Sequence, residues 1–242
     1  MASTSETGHA KNVSNFQNLI AFVTGYGATY NPSKNALKLP QLTALKVSAE
    51  TKLSDVVSKI TAYNNKVNER QIAFSGLKPL STRLVNALQT TNATTQTIKD
   101  AKGFNRKMQG QRASTIVTTT DPNAPAPTTI SSSQQSYIQQ IQHLAGLTSV
   151  LESEPSYTPN ENDLKIATLK SKQMELITKN NDVLTSFTNV SNSRIARNAT
   201  LYGTDDSIFV IASEVKKYIK SIYGASSPEF AQVKGIEFKK TK

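Results

Sequence analysis

Three groups of residues in this chain have the types needed for chemistry: two histidines, a matched pair of arginines, and two concentrations of lysine and arginine. His9 and His143 each stand alone, with no second histidine or carboxylate at the spacing that a metalloprotease helix needs. One histidine on an amphipathic helix is ordinarily a satisfied structural residue. The chain has no cysteine, which excludes disulfides, thiolate metal sites and thiol nucleophiles. No EF-hand loop, P-loop or nucleophile elbow occurs. Gly25-Tyr26-Gly27 lacks the third glycine and the preceding strand of a dinucleotide loop. No catalytic, cofactor-binding or metal-binding residue is therefore assigned. The reading is that this protein is not an enzyme.

The basic residues are more informative. Lys99, Lys102, Arg106, Lys107 and Arg112 end the first half, and Lys216, Lys217, Lys220, Lys234, Lys239, Lys240 and Lys242 crowd the end of the second. Phosphate contacts need little beyond such charge. Lys99, Lys102, Arg106, Lys107, Arg112, Lys234, Lys239 and Lys240 form the candidate anion-binding set. The competing account is a solvated, lysine-rich surface, because no sequence-reading module for nucleic acid is present. Net charge is +11 and uneven: residues 1–114 hold 15 Lys/Arg against 5 Asp/Glu, and residues 115–242 hold 13 against 12. Such asymmetry can mark an anionic partner.

The elements that would position these groups come in two copies. Shifted by 127, residues 30–76 match residues 157–203 without a gap, and 14 of the 47 pairs are identical. Tyr30/Tyr157, Pro32/Pro159, Leu42/Leu169, Asp55/Asp182, Arg70/Arg197 and Gly76/Gly203 are among them. A fixed-period match predicts one supersecondary unit used twice. The division expected is a disordered tail at 1–11, a helical repeat at 12–109, a Ser/Thr/Pro-rich linker at 110–135 and a second repeat at 136–242.

Within each repeat the apolar spacing predicts helices. Val13, Phe16, Ile20 and Val23 form the stripe of a first helix, matched by Ile138, Ile141, Leu144, Leu147 and Leu151. Both lead into an irregular connector in which the matched tyrosine is expected to pack. A long helix follows. Its seam runs through Leu42, Ala49, Leu53, Val56, Ile60, Tyr63, Val67, Arg70 and Phe74, and in the second copy through Leu169, Gln173, Leu176, Asn180, Val183, Phe187, Val190, Arg194, Arg197 and Leu201. Gly76 and Gly203 suit left-handed caps at the ends of these helices. A third helix, from about Pro79 to Thr91, buries Leu80, Leu84 and Leu88; its counterpart uses Ile208, Ile211, Val215, Tyr218 or Ile219, and Ile222. Ser227-Pro228-Glu229 reads as the cap, first-turn proline and helpful acid of a short closing helix. Arg70 and Arg197 fall on the inward seam. They are expected to donate to helix-end carbonyls or to a carboxylate such as Asp55, Asp182 or Glu69, or else to form an anion site repeated twice.

Tyr26-Gly27-Ala28-Thr29-Tyr30-Asn31-Pro32, Ser131-Ser132-Ser133-Gln134 and Tyr223-Gly224-Ala225-Ser226-Ser227-Pro228-Glu229, with Gly235 downstream, resemble segments of a family of uncharacterised bacterial duplicated all-helical proteins. These motifs are loops and caps. The resemblance implies a duplicated all-α fold and brings no activity or site residues. The architecture expected is two helical-bundle repeats with long antiparallel helices, packed together or sharing one elongated bundle by pairing those helices.

The function expected is that of a non-enzymatic structural or interaction protein, offering long helical faces to a protein partner or to itself. Nonspecific binding of nucleic acid or another polyanion is the alternative, and a membrane-active helical toxin the third. No apolar run approaches the roughly 18 residues of a membrane span. The polar N-terminus has no export signal, so a cytoplasmic location is expected.

Overall fold

A computed structural model describes residues 8–111 and 135–240, and every regular element among them is helical. In chain order the helices are α1 (His9–Gly25), α2 (Leu39–Ser75), α3 (Leu77–Gln89), α4 (Thr95–Gln109), α5 (Tyr137–Glu152), α6 (Ile166–Tyr202), α7 (Ile208–Tyr223) and α8 (Pro228–Lys234). Helices α2 and α6 are each 37 residues long, about 55 Å at 1.5 Å per residue. They can run so far because neither carries an interior glycine, and the one proline, Pro40, sits in the first turn where its missing N–H costs nothing.

Helix starts follow from short polar side chains. Thr94, Ser136, Ser207 and Ser227 each accept a hydrogen bond from the backbone N–H three residues on. Such caps contribute about 1 kcal/mol each. Pro228 and Glu229 open α8 as expected from the sequence. The glycines at the ends of the long helices behave differently from expectation. Gly76 is right-handed (φ −86°), because the chain passes almost directly from α2 into α3. Gly203 also lacks a positive φ; the left-handed residue of the α6–α7 connection is Asp206 (φ 49°). Gly203 is small for another reason: a Cβ there would lie 2.6 Å from the Ala199 carbonyl oxygen.

The chain divides into two compact units, and neither coincides with one stretch of the self-match. One, the terminal unit, comprises Met1–Tyr63 with Ser186–Lys242; the other, the central unit, comprises Asn64–Thr185. In the terminal unit α1 packs on α7 and α8. Its core joins Val13, Phe16, Leu19, Val23 and Leu42 from the first half to Leu201, Ile208, Ile211, Val215, Ile219 and Val233 from the second. In the central unit α4 packs on both α3 and α5. Its core joins Phe74, Leu77, Leu84, Leu88 and Met108 to Leu144, Leu147, Leu151, Leu164, Leu169 and Leu176. Each core is thus built from both halves of the sequence.

The charge asymmetry between sequence halves dissolves under this grouping. The terminal unit's segments hold 15 Lys/Arg against 8 Asp/Glu, and the central unit's hold 13 against 9. The connectors behave alike at matched positions. Tyr30 is buried and its hydroxyl donates to the Leu37 carbonyl at 2.7 Å; Tyr157 is buried and donates to the Leu164 carbonyl at 3.0 Å. Among the expected inward residues, Ile138, Phe187, Arg194 and Ile222 are exposed. His9, Ala10 and Lys11 belong to α1 rather than to a tail. The expected linker lies largely outside the described residues.

Candidate functional site

Of the candidate anion-binding residues, Lys234 and Lys239 meet at one place in the terminal unit. Both line a surface cavity of about 420 Å³ together with Phe209, Ser213, Lys216, Ile236, Glu237 and Phe238. Helix α7 supplies Phe209, Ser213 and Lys216, at spacings of four and three that put them on one face. The end of α8 supplies Lys234, and the segment after it supplies the rest. Lys240 adds a cation at the edge, with its ammonium 5.1 Å from the centre of the Phe209 ring.

Lys216 organises this cavity. Its ammonium donates to the carbonyls of Ile236 and, at 3.4 Å, Lys234, and lies 5.5 Å from the centre of the Phe238 ring. Burial pushes its pKa down, partly offset by Glu237. The α8 end and the following segment are therefore tied to α7 through one cation. Glu237 is the carboxylate of the lining and pairs with Lys239 at 3.0 Å, which leaves Lys216 and Lys234 as the cationic excess of the lining.

The other lysine cluster is on α4, in the central unit. Lys99, Lys102 and Arg106 share one face of that helix at spacings of three and four. Lys99 and Lys102 are exposed, and Arg106 is half-buried. Lys107 turns away and lies 5.4 Å from the centre of the Phe104 ring. Arg112 falls outside the described residues.

The matched arginines do not form matched sites. Arg70 donates to Asn180 Oδ1 at 3.1 Å and stacks its guanidinium 4.0 Å from the centre of the Tyr137 ring. The expected carboxylates are engaged elsewhere. Asp182 and Glu69 pair with Lys66, Glu69 also accepts from Lys179 at 2.8 Å, and Asp55 pairs with Lys59 on its own helix. Arg197 instead donates to the side chain of Asn198. The Tyr137 face attracts the Arg70 cation through its quadrupole, while the Arg70 Nε–H is buried with no hydrogen-bond partner among the described residues.

His143 is buried among α5 core residues, and His9 Nδ1 is 2.9 Å from the Tyr202 hydroxyl. Among the described residues no three His, Asp or Glu side chains gather where a metal ion could be held. No described helix is long and apolar enough to cross a membrane.

A second kind of surface is apolar. In the central unit α6 exposes Met174, Ile177 and Leu184, with Met174 69% and Leu184 65% exposed. Together with Asn181 they follow a three–four–three spacing, so they form one stripe. The positions matched by the 127-residue shift, on α2 in the terminal unit, are Val47, Glu50, Ser54 and Val57. Val47 and Val57 are likewise exposed.

Phe209, Ser213 and Phe238 were not singled out by sequence reasoning. A usable signal was present in Phe238-Lys239-Lys240, where an aromatic sits directly beside two cations. The α6 stripe also had a signal, a second apolar series offset from the buried seam, which the seam itself obscured. Comparison with known proteins finds no matching family model, no matching curated protein and no matching solved structure.

Proposed function

We propose that this protein is a non-enzymatic helical scaffold that self-associates through the α6 stripe of Met174, Ile177 and Leu184. The observation that carries the reading is the exposure of these side chains where nearby charge is already neutralised. Lys172 pairs with Glu175 at 3.0 Å, Lys179 with Glu69 at 2.8 Å and Lys170 with Glu152 at 2.5 Å. Ser171, Thr178, Asn181 and Thr185, which flank the stripe on the same helix face, are uncharged. Two molecules that each carry +11 can approach there with little local repulsion.

A two-fold contact with α6 crossing its mate antiparallel would set Met174 of one copy near Leu184 of the other. That is the self-complementary arrangement of an isologous dimer. Full burial of such a side chain is worth about 1.5–3 kcal/mol.

Duplication of one helical unit is the supporting architectural reading. The gapless 47-residue match, the equal lengths of α2 and α6, and the paired tyrosine hydrogen bonds favour it. Antiparallel pairing of the long helices is favoured by the contacts of Lys66 with Asp182 and of Glu69 with Lys179, where one number rises as the other falls.

The test is light scattering after chromatography at low and high salt. The wild type should be a dimer whose mass withstands salt, and Met174→Glu/Leu184→Glu should be monomeric with an unchanged helical spectrum. A wild-type monomer in both buffers would overturn self-association.

A further inference from the structure

We propose that the α7–α8 cavity binds a nucleotide unit, with the phosphate among Lys216, Lys234 and Lys239 and the base against Phe209. The proposal is independent of whether the α6 stripe docks a second copy. The cavity's volume of about 420 Å³ lies within the range of about 300–1,000 Å³ usual for small-molecule sites. Its chemistry is divided as a nucleotide would require. Lys216, Lys234 and Lys239 bring cations to a wall that also holds the Ser213 hydroxyl, a donor for a phosphate oxygen. The opposing carboxylate, Glu237, is already engaged by Lys239.

The aromatic part of the site distinguishes it from a merely basic surface. Phe209 is half-exposed and lies outside the main terminal-unit core, with Lys240 beside its ring. Phe238 packs against that core and carries Lys216 by its ring. One ring is thus packed against the core, while the other is half-exposed and carries the Lys240 ammonium, which a stacking base would displace. Every base has a π-face, so stacking on Phe209 tolerates any sequence. By contrast, the α4 cations Lys99 and Lys102 could attract phosphate but have no ring beside them in the described contacts.

Lys216 is better placed to position the site than to grip the ligand alone. Its ammonium holds the Lys234 and Ile236 carbonyls, and this brings Lys234, Glu237, Phe238 and Lys239 around one space. Replacing it would disturb the segment itself. The informative variants are therefore Phe209→Ala and Lys234→Glu/Lys239→Glu, compared with Lys99→Glu/Lys102→Glu in the other unit.

The experiment is calorimetric titration of the full chain with adenosine 5′-monophosphate and with a short single-stranded oligothymidylate, using inorganic phosphate as competitor. Thermal melts of each variant confirm that it remains folded. Saturable binding of either nucleotide probe is expected, weakened about tenfold or more by Phe209→Ala and by Lys234→Glu/Lys239→Glu, and little changed by Lys99→Glu/Lys102→Glu. Comparable affinity for the two probes would identify a free nucleotide as the ligand source. Markedly tighter, salt-sensitive binding of the oligonucleotide would identify a strand. No saturable binding of either probe overturns the proposal. So does binding that folded Phe209→Ala retains in full, or that is lost only in Lys99→Glu/Lys102→Glu.

Discussion

The side chain of Asn12 holds both backbone polar groups of Lys239, 227 residues away: Nδ2 donates to the Lys239 carbonyl at 2.7 Å, and Oδ1 accepts from its N–H at 3.1 Å. Asn12 is only 4% exposed. Its Nδ2 also lies 3.0 Å from the Tyr202 hydroxyl, and neighbouring Asn15 donates to the Glu237 carbonyl at 2.7 Å. An amide matches a peptide group in shape, so α1 receives the last described segment as a second strand would. Removing it leaves two part-buried backbone groups without these partners. Asn12→Ala should cost about 1–3 kcal/mol in denaturant unfolding. It should also speed proteolysis after Lys234. A variant with unchanged stability and digestion would show that the segment is held by its apolar residues alone.

The same corner should respond to pH. Burial first, and the charge of Arg197 second, lower the His9 pKa below its ordinary 6.5. As the pH falls, the unfolded chain takes up this proton before the folded one. The corresponding stability is fully present above about pH 6.5 and is lost between that value and the lower native pKa. The melting temperature should drop between pH 7.5 and 5.5, and His9→Gln should drop less. Equal drops would remove His9 as the cause. Glu69 and Asp163, held low by hydrogen bonds from Lys179 and Arg83, act in a separate window, losing their contribution as the pH falls below their ordinary 4.5 and 3.8.

Because each core draws on both halves, a cut between the halves should not release them. A protease site introduced within residues 112–134 would give two chains, each missing part of both cores. The cut protein should elute natively at the volume of the intact one and separate only in denaturant. Elution of two folded halves without denaturant would mean that each half carries its own core.

Helix content was legible in the sequence because the apolar spacing of three and four is a local signal, and α3, α6 and α8 lie within a few residues of where it placed them. Grouping was not. Phe16 and Ile211 are two stripe positions among many, and amphipathic helices can pair their stripes in any combination. Only the folded chain shows Phe16 in one core with Ile211, and Leu84 in another with Leu144. Burial failed at Phe187 because its seam position, ideal on a wheel, faces the half-buried Tyr63 ring across 6.0 Å and leaves much of its own ring in water. The lysine cavity was half legible. Charge marked Lys234 and Lys239, but Phe209 reached the cavity from a different helix, and such non-local convergence leaves no periodic trace.

Gly146 offers a test of how the two cores differ. A Cβ there would lie 2.3 Å from the Phe104 ring, so the α4 aromatic rests directly on the backbone of α5. The same 127-residue shift carries Gly146 to Leu19, a large side chain in the terminal-unit core. In a solvent-facing helix, Gly→Ala would gain about 1 kcal/mol from propensity. Here overpacking should reverse the sign, and Gly146→Ala is expected to cost about 1–3 kcal/mol. Adding Phe104→Leu should recover part of that loss, since a branched aliphatic side chain withdraws the ring edge. The pair should consequently be non-additive by about 0.5–3 kcal/mol in a denaturant cycle. A stabilising Gly146→Ala would show that the ring leaves this position without cost, and strict additivity would show that the two residues do not compete for the same space.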